Sequence, residues 1–217
     1  MGPELIVVLP WDEFAKFLIA LIVIVDPLAA IPIYLAAVGK LSSAEHNRNA
    51  KIAALTVLTA LVVTIFAGDK ILGLFGIGLP AFRVGGGIVI LLMAVSMLRG
   101  RPGRIRHTEE EADEAAEKDA IAVVPIGIPL LAGPGAISTA IIAAHDFPGS
   151  ISKLILCGAV LLVAPMVWIS LRFAVPIGKY LGKTGINIAN RLMGLILAAI
   201  AVEFITEGLR QLFPALG

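Results

Sequence analysis

Charged side chains are scarce. Only 15% of the 217 residues are Asp, Glu, Lys or Arg, against about 25% in a soluble domain. The formal net charge is +1, so no strong field draws nucleic acid or acidic partners. Cysteine occurs once, at Cys157, which excludes an intramolecular disulfide, and in its apolar run the thiol reads as a small hydrophobe. His46, His107 and His145 are scattered without ligand spacing, so neither a metal site nor a cofactor is expected. There is no Gly-x-Ser-x-Gly element, no histidine pair on one helix, and a single mid-span aspartate. An enzyme is therefore not expected. The first ten residues lack the basic start and cleavage site of a signal peptide, and no processing is expected.

Apolar residues are abundant. Hydrophobic types make up 59% before the 22 glycines are added, where soluble domains reach about 45–50% with glycine included. The mean hydropathy is +0.97. A soluble fold of this size cannot cover so much apolar side chain. The composition excludes a soluble enzyme, a nucleic-acid binder and a disordered chain. Its solvent is lipid.

A membrane helix needs about 20 mostly apolar residues. Six such spans are expected, near residues 14–38, 50–71, 82–98, 120–144, 152–175 and 189–213. The fold class is an all-α integral membrane protein with six transmembrane helices. Twelve Lys and Arg fall on one side, among them Lys40, Arg101 and Arg172, and five on the other. The richer side is expected in the cytoplasm, with both termini outside. Between the third and fourth spans lies a charged loop whose acidic run, Glu109 to Asp119, reads as a solvated linker or a docking element. The expected organisation is a first three-helix unit at 1–98, a cytoplasmic linker at 99–119 and a second three-helix unit at 120–217.

The two units resemble each other. Pro27-Leu28-Ala29-Ala30-Ile31-Pro32 matches Pro129-Leu130-Leu131-Ala132-Gly133-Pro134, and Arg83-Val84-Gly85-Gly86-Gly87-Ile88 matches Arg191-Leu192-Met193-Gly194-Leu195-Ile196. Three spans per unit is an odd number, so the second unit enters the membrane upside down. This is a 3+3 inverted-topology repeat, as in many secondary transporters.

Proline removes an amide donor and glycine tolerates unwound backbone, so helices 1 and 4 are expected to be discontinuous. Breaks at corresponding places point to a substrate site. Gly133, Pro134 and Gly135 read as a helix restart whose free N–H groups suit a carboxylate, with Ser138 and Thr139 adding hydroxyls. The alternative is a packing kink with both hydroxyls bonded back to their own helix. Asp26 lies mid-span, where an aspartate costs about 2.5–3.5 kcal/mol at the lowest estimates. Beside Pro27 it can hold an ammonium, carry a coupling proton, or cap the half-helix that follows. Freed carbonyls near Ala30, Ile31 and Pro32 complete the expected substrate site. Glu203, deep in the sixth span, is a second ion-coupling candidate or a partner for Arg83 or Arg191.

Asp26-Pro27-x-x-x-x-Pro32, Phe82-Arg83-x-Gly85-Gly86-Gly87 and Pro129-Leu130-Leu131-Ala132-Gly133-Pro134-Gly135-Ala136 together resemble the MarC family, also called the six-helix neutral amino acid transporter family. The resemblance runs from the first span to the sixth. It implies a multi-pass protein of a prokaryotic plasma membrane, with proton-linked transport of small neutral amino acids such as glycine and alanine. The leading expectation is thus a secondary transporter working by alternating access, with a small neutral amino acid, the bilayer and a coupling proton as its partners. The alternative is a passive small-solute channel built from opposed half-helices.

Overall fold

Backbone in lipid has no water to bond, so each crossing segment must satisfy its own N–H and C=O groups, which a helix does. The computed structural model describes residues 9–38, 42–100 and 122–214. The expected linker lies outside the described residues except for Arg99 and Gly100. The elements are α1 (Trp11–Val25), α2 (Ala30–Val38), α3 (Ser43–Leu74), α4 (Leu79–Leu98), α5 (Ala122–Leu131, a π-helix), α6 (Pro134–Asp146), α7 (Ser150–Arg172) and α8 (Ala174–Leu212). No strand occurs among the described residues.

Among the described residues, five segments are long and apolar enough to cross a membrane: Trp11–Leu35, Ser43–Leu74, Leu79–Leu98, Ser150–Arg172 and Thr184–Leu212. They answer to five of the six expected spans. The fourth expected span differs, because α5 has 10 residues and α6 has 13. At 1.5 Å per residue the described parts are about 15 and 20 Å long, each short of a ~30 Å hydrocarbon core. Among the described residues there are therefore five spans, the first of them interrupted between α1 and α2, and one pair of shorter helices.

Large apolar side chains face outward, with Leu55, Leu154 and Leu195 each about three-fifths exposed. Much of the interior is small, as at Ala50, Ala53, Ala136, Ala140 and Ala159. Small residues let backbones approach closely where lipid gives no hydrophobic drive to associate. The most extensive pairings are α4 with α8 and α3 with α7. A Cβ at Gly87 would stand 3.0 Å from the Ala201 carbonyl oxygen, and one at Gly194 3.1 Å from that of Ala94, so at these two points of the α4–α8 seam a glycine lies close against the facing backbone.

The helices alternate between two ends of the bundle. At one end, Tyr34 Oη donates to the His46 carbonyl at 3.1 Å and Trp168 Nε1 donates to Asn47 Oδ1 at 3.0 Å. These bonds fix α2 and α7 to the start of α3, which opens with a capping box between Ser42 and Glu45. At the opposite end Arg83, buried, pairs with Asp146. Asp69 there meets His145 at 3.0 Å and Lys153 at 3.9 Å. That polar cluster ties together α3, α4, α6 and α7.

Candidate functional site

The first break begins where α1 ends at Val25. Asp26 takes a left-handed conformation with φ 43° and ψ 68°. It is the one non-glycine residue with positive φ among the described residues. Aspartate tolerates that region better than bulky residues do. The Ala29 N–H donates to Asp26 Oδ1 at 3.3 Å, so the carboxylate caps the turn that leads into α2. Asp26 is nevertheless 3% exposed, a buried acid at mid-span.

The second break separates α5 from α6 at Ala132 and Gly133. Proline occurs twice in α5 and deletes two backbone donors. The wider π turn ends with the Ala132 N–H donating to the Gly127 carbonyl, five residues back, at 2.9 Å. Gly133 caps α6 without a side-chain bond, and Pro134 opens the helix. The first turn of a helix leaves its N–H groups without intrahelical partners. Here those groups belong to buried Gly135 and Ala136.

The two breaks meet. A Cβ at Gly135 would lie 3.2 Å from Ile24 Cγ2, two residues before Asp26, and 3.2 Å from Ile90 Cγ1. The restart of α6 therefore stands against the last turn of α1. Ser138 and Thr139 are buried one turn further on. Thr139 Oγ1 donates to the Gly135 carbonyl at 2.9 Å, so this hydroxyl bonds back to its own helix. Ser138 faces Gly86, where a Cβ would come within 2.8 Å of its own Cβ. Pro27, Ala30 and Ile31 are buried at the start of the second half-helix, while Pro32 is exposed.

Glu203 stands apart from this group. The sequence offers it as an ion-coupling acid or as a partner for Arg83 or Arg191; Glu203 is exposed and Arg83 pairs with Asp146. The buried stripe of α8 runs through Gly194, Leu197, Ala201 and Gly208, at helical spacing of three, four and seven. Glu203, two residues past Ala201, falls about 200° around the helix from it.

A cleft of about 660 Å³ opens between α2 and α8. Ile31, Pro32 and Leu35 form its α2 wall, so two expected site residues line it. Opposite stand Lys179, Gly182, Asn187 and Asn190. Gly182 bends α8 with φ 60° and ψ −179°, a conformation almost confined to glycine. Asn190 is 1% exposed, and neither its Oδ1 nor its Nδ2 has a protein partner among the described residues. Leaving such a group unmet costs about 1–3 kcal/mol. Sequence reasoning missed Lys179, Asn187 and Asn190. The available signal was the pair of amides in the run Asn187-Ile188-Ala189-Asn190, one turn apart at the mouth of an apolar span.

Residues 11–213 match the family model described as MarC family integral membrane protein. The chain is 38% identical over 204 residues to the UPF0056 membrane protein YhcE of Escherichia coli, covering 94% of each chain. It is 34% identical over 198 residues to a UPF0056 membrane protein of Archaeoglobus fulgidus, covering 91% of this chain and 92% of that one. To the UPF0056 inner membrane protein MarC of Citrobacter koseri it is 32% identical over 207 residues, covering 90% and 93%. No solved structure matches.

Proposed function

The chain belongs to the MarC family of integral membrane proteins, and on that premise we propose that it is a secondary transporter of small neutral amino acids such as glycine and alanine. The observation that carries this reading is the apposition of two helix breaks, the α6 restart at Gly135 lying against Ile24 just before Asp26. Half-helix ends facing one another at mid-membrane suit a zwitterion. Free N–H groups and the positive dipole end of α6 at Gly135 and Ala136 take the carboxylate. The Asp26 carboxylate takes the ammonium, and the carbonyls near Ala30, Ile31 and Pro32 supply further acceptors. Ser138 lies beside this position.

We read α5 and α6 as a broken sixth crossing, which restores two inverted units of three spans. The preference of α4 for α8 and of α3 for α7 supports this, since each is then the counterpart of the other in the repeat. Alternating access follows as movement of one unit against the other. The cluster of Arg83, Asp146, Asp69, His145 and Lys153 closes one end. The cleft opens the other, which the lysine and arginine count assigns to the cytoplasm. Proton coupling belongs to Asp26 in this scheme, the buried acid that meets the ammonium. Glu203, exposed on α8, lies off the path.

Counterflow in proteoliposomes tests the reading. Vesicles preloaded with unlabelled glycine or alanine should accumulate labelled substrate transiently above equilibrium. Flux that only equilibrates would convert the protein to a passive channel, and absence of flux for both amino acids would remove the substrate assignment.

A further inference from the structure

The cleft between α2 and α8 has a built polar floor in an apolar wall. Asn190 lines it, is buried, and has both amide atoms without a protein partner among the described residues. A primary amide sets a donor and an acceptor side by side. Its complement is a ligand that presents an acceptor and a donor in the same way, as the carboxylate and ammonium of an α-amino acid do. Lys179 lines the same cleft and adds a positive charge, which favours a carboxylate over a neutral carboxamide. Ile31, Pro32, Leu35 and Ile186 supply the apolar remainder. At about 660 Å³ the cleft lies within the ~300–1,000 Å³ range of ligand pockets. It has room for a side chain that glycine and alanine lack.

We propose that this cleft binds α-amino acids with aliphatic side chains of leucine size, with Asn190 as the residue that reads their α-carboxylate and α-ammonium groups. The inference rests on the transport reading for its choice of amino acids among donor–acceptor ligands. It adds a binding position and a wider substrate class. Asn190 Nδ2 donates to the carboxylate and Oδ1 accepts from the ammonium. The branched side chain lies along Ile31 and Leu35. The bend at Gly182 turns the first segment of α8, with Lys179, over the ligand.

The test is calorimetric binding to the purified full chain in detergent micelles, with leucine, glycine, leucinol and 4-methylpentanoate as probes. Leucine should bind the unaltered chain. Leucinol, which lacks the carboxylate, and 4-methylpentanoate, which lacks the ammonium, should each bind about tenfold to a hundredfold more weakly, as for loss of a charged hydrogen bond. Asn190→Ala should weaken leucine by the same factor. If Asn190→Ala does not fold, Gly178→Leu keeps the amide and fills the cleft, since a Cβ there would point at the cleft wall, 3.3 Å from Leu35 Cδ1 and 4.0 Å from Ile31 Cγ2. That variant should also lose leucine binding. Equal binding of leucine and 4-methylpentanoate would make the cleft a site for amphiphilic anions and overturn the proposal. So would leucine binding unchanged in the variants, or none to the unaltered chain. Glycine counterflow is measured separately, so these results leave the transport reading to stand or fall alone.

Discussion

Asp26 carries two duties that a single substitution can pull apart. Its Oδ1 accepts the Ala29 N–H at 3.3 Å, while its charge is what a substrate ammonium would meet. Asparagine keeps a side-chain oxygen at the same position and tolerates left-handed backbone. Asp26→Asn should therefore hold stability within about 0.5 kcal/mol while weakening glycine binding about tenfold or more. Asp26→Ala loses the cap and strains the backbone, and should cost about 1–3 kcal/mol in stability as well. Denaturation in detergent and glycine titration on both variants check this. If Asp26→Asn binds glycine normally, the aspartate is a cap and no more. The acid was legible in the sequence because an aspartate between apolar runs is conspicuous. Asn190 was not, since an uncharged amide near the start of a span reads as the loop before it.

At the scale of the helix, lipid makes length legible and orientation illegible. Five spans follow from hydropathy because backbone in a bilayer must be helical. Which face turns inward does not follow, because apolar side chains cover both faces: Leu195 is 63% exposed on α8 while Leu197 is fully buried. That is why the depth of Glu203 could be read and its face could not. Small residues carry the missing information, but the run Gly85-Gly86-Gly87 does not say which glycine matters. The structure does. A Cβ at Gly87 would meet Ile205 Cγ1 at 2.7 Å and the Ala201 carbonyl at 3.0 Å, whereas one at Gly85 meets nothing within 4 Å. Gly87→Ala should accordingly destabilise the α4–α8 seam by about 1–3 kcal/mol, as for overpacking. Gly85→Ala should be neutral or gain up to about 1 kcal/mol from helix propensity. The pair is read by thermal unfolding in the same detergent. Equal losses would mean that α4 and α8 do not pack through this face.

For the molecule as a whole, the two ends differ in kind. One gathers Asp69, Arg83, His145, Asp146 and Lys153 into ion pairs. The other opens beside α2 and the bend at Gly182. If the protein is the carrier proposed, one closed and one open end poise it toward one compartment, and membrane orientation decides which compartment can load the cleft. In the proposed orientation, drawn from the lysine and arginine bias, the open end faces the cytoplasm. The acidic run at Glu109 to Asp119 does not reverse this, because acidic residues contribute little to that rule. Ser43 begins α3 at the cleft end and Ser150 begins α7 at the ion-pair end, and both are exposed. In a Cys157→Ser background, which removes the sole native thiol, Ser150→Cys should react with a membrane-impermeant maleimide on intact cells. Ser43→Cys should react only after permeabilisation. The reverse pattern would turn the molecule over, placing the cleft outside and both termini within. Labelling of both on intact cells would mean that the helices joining them do not cross the membrane, and the inverted repeat would fall with the orientation.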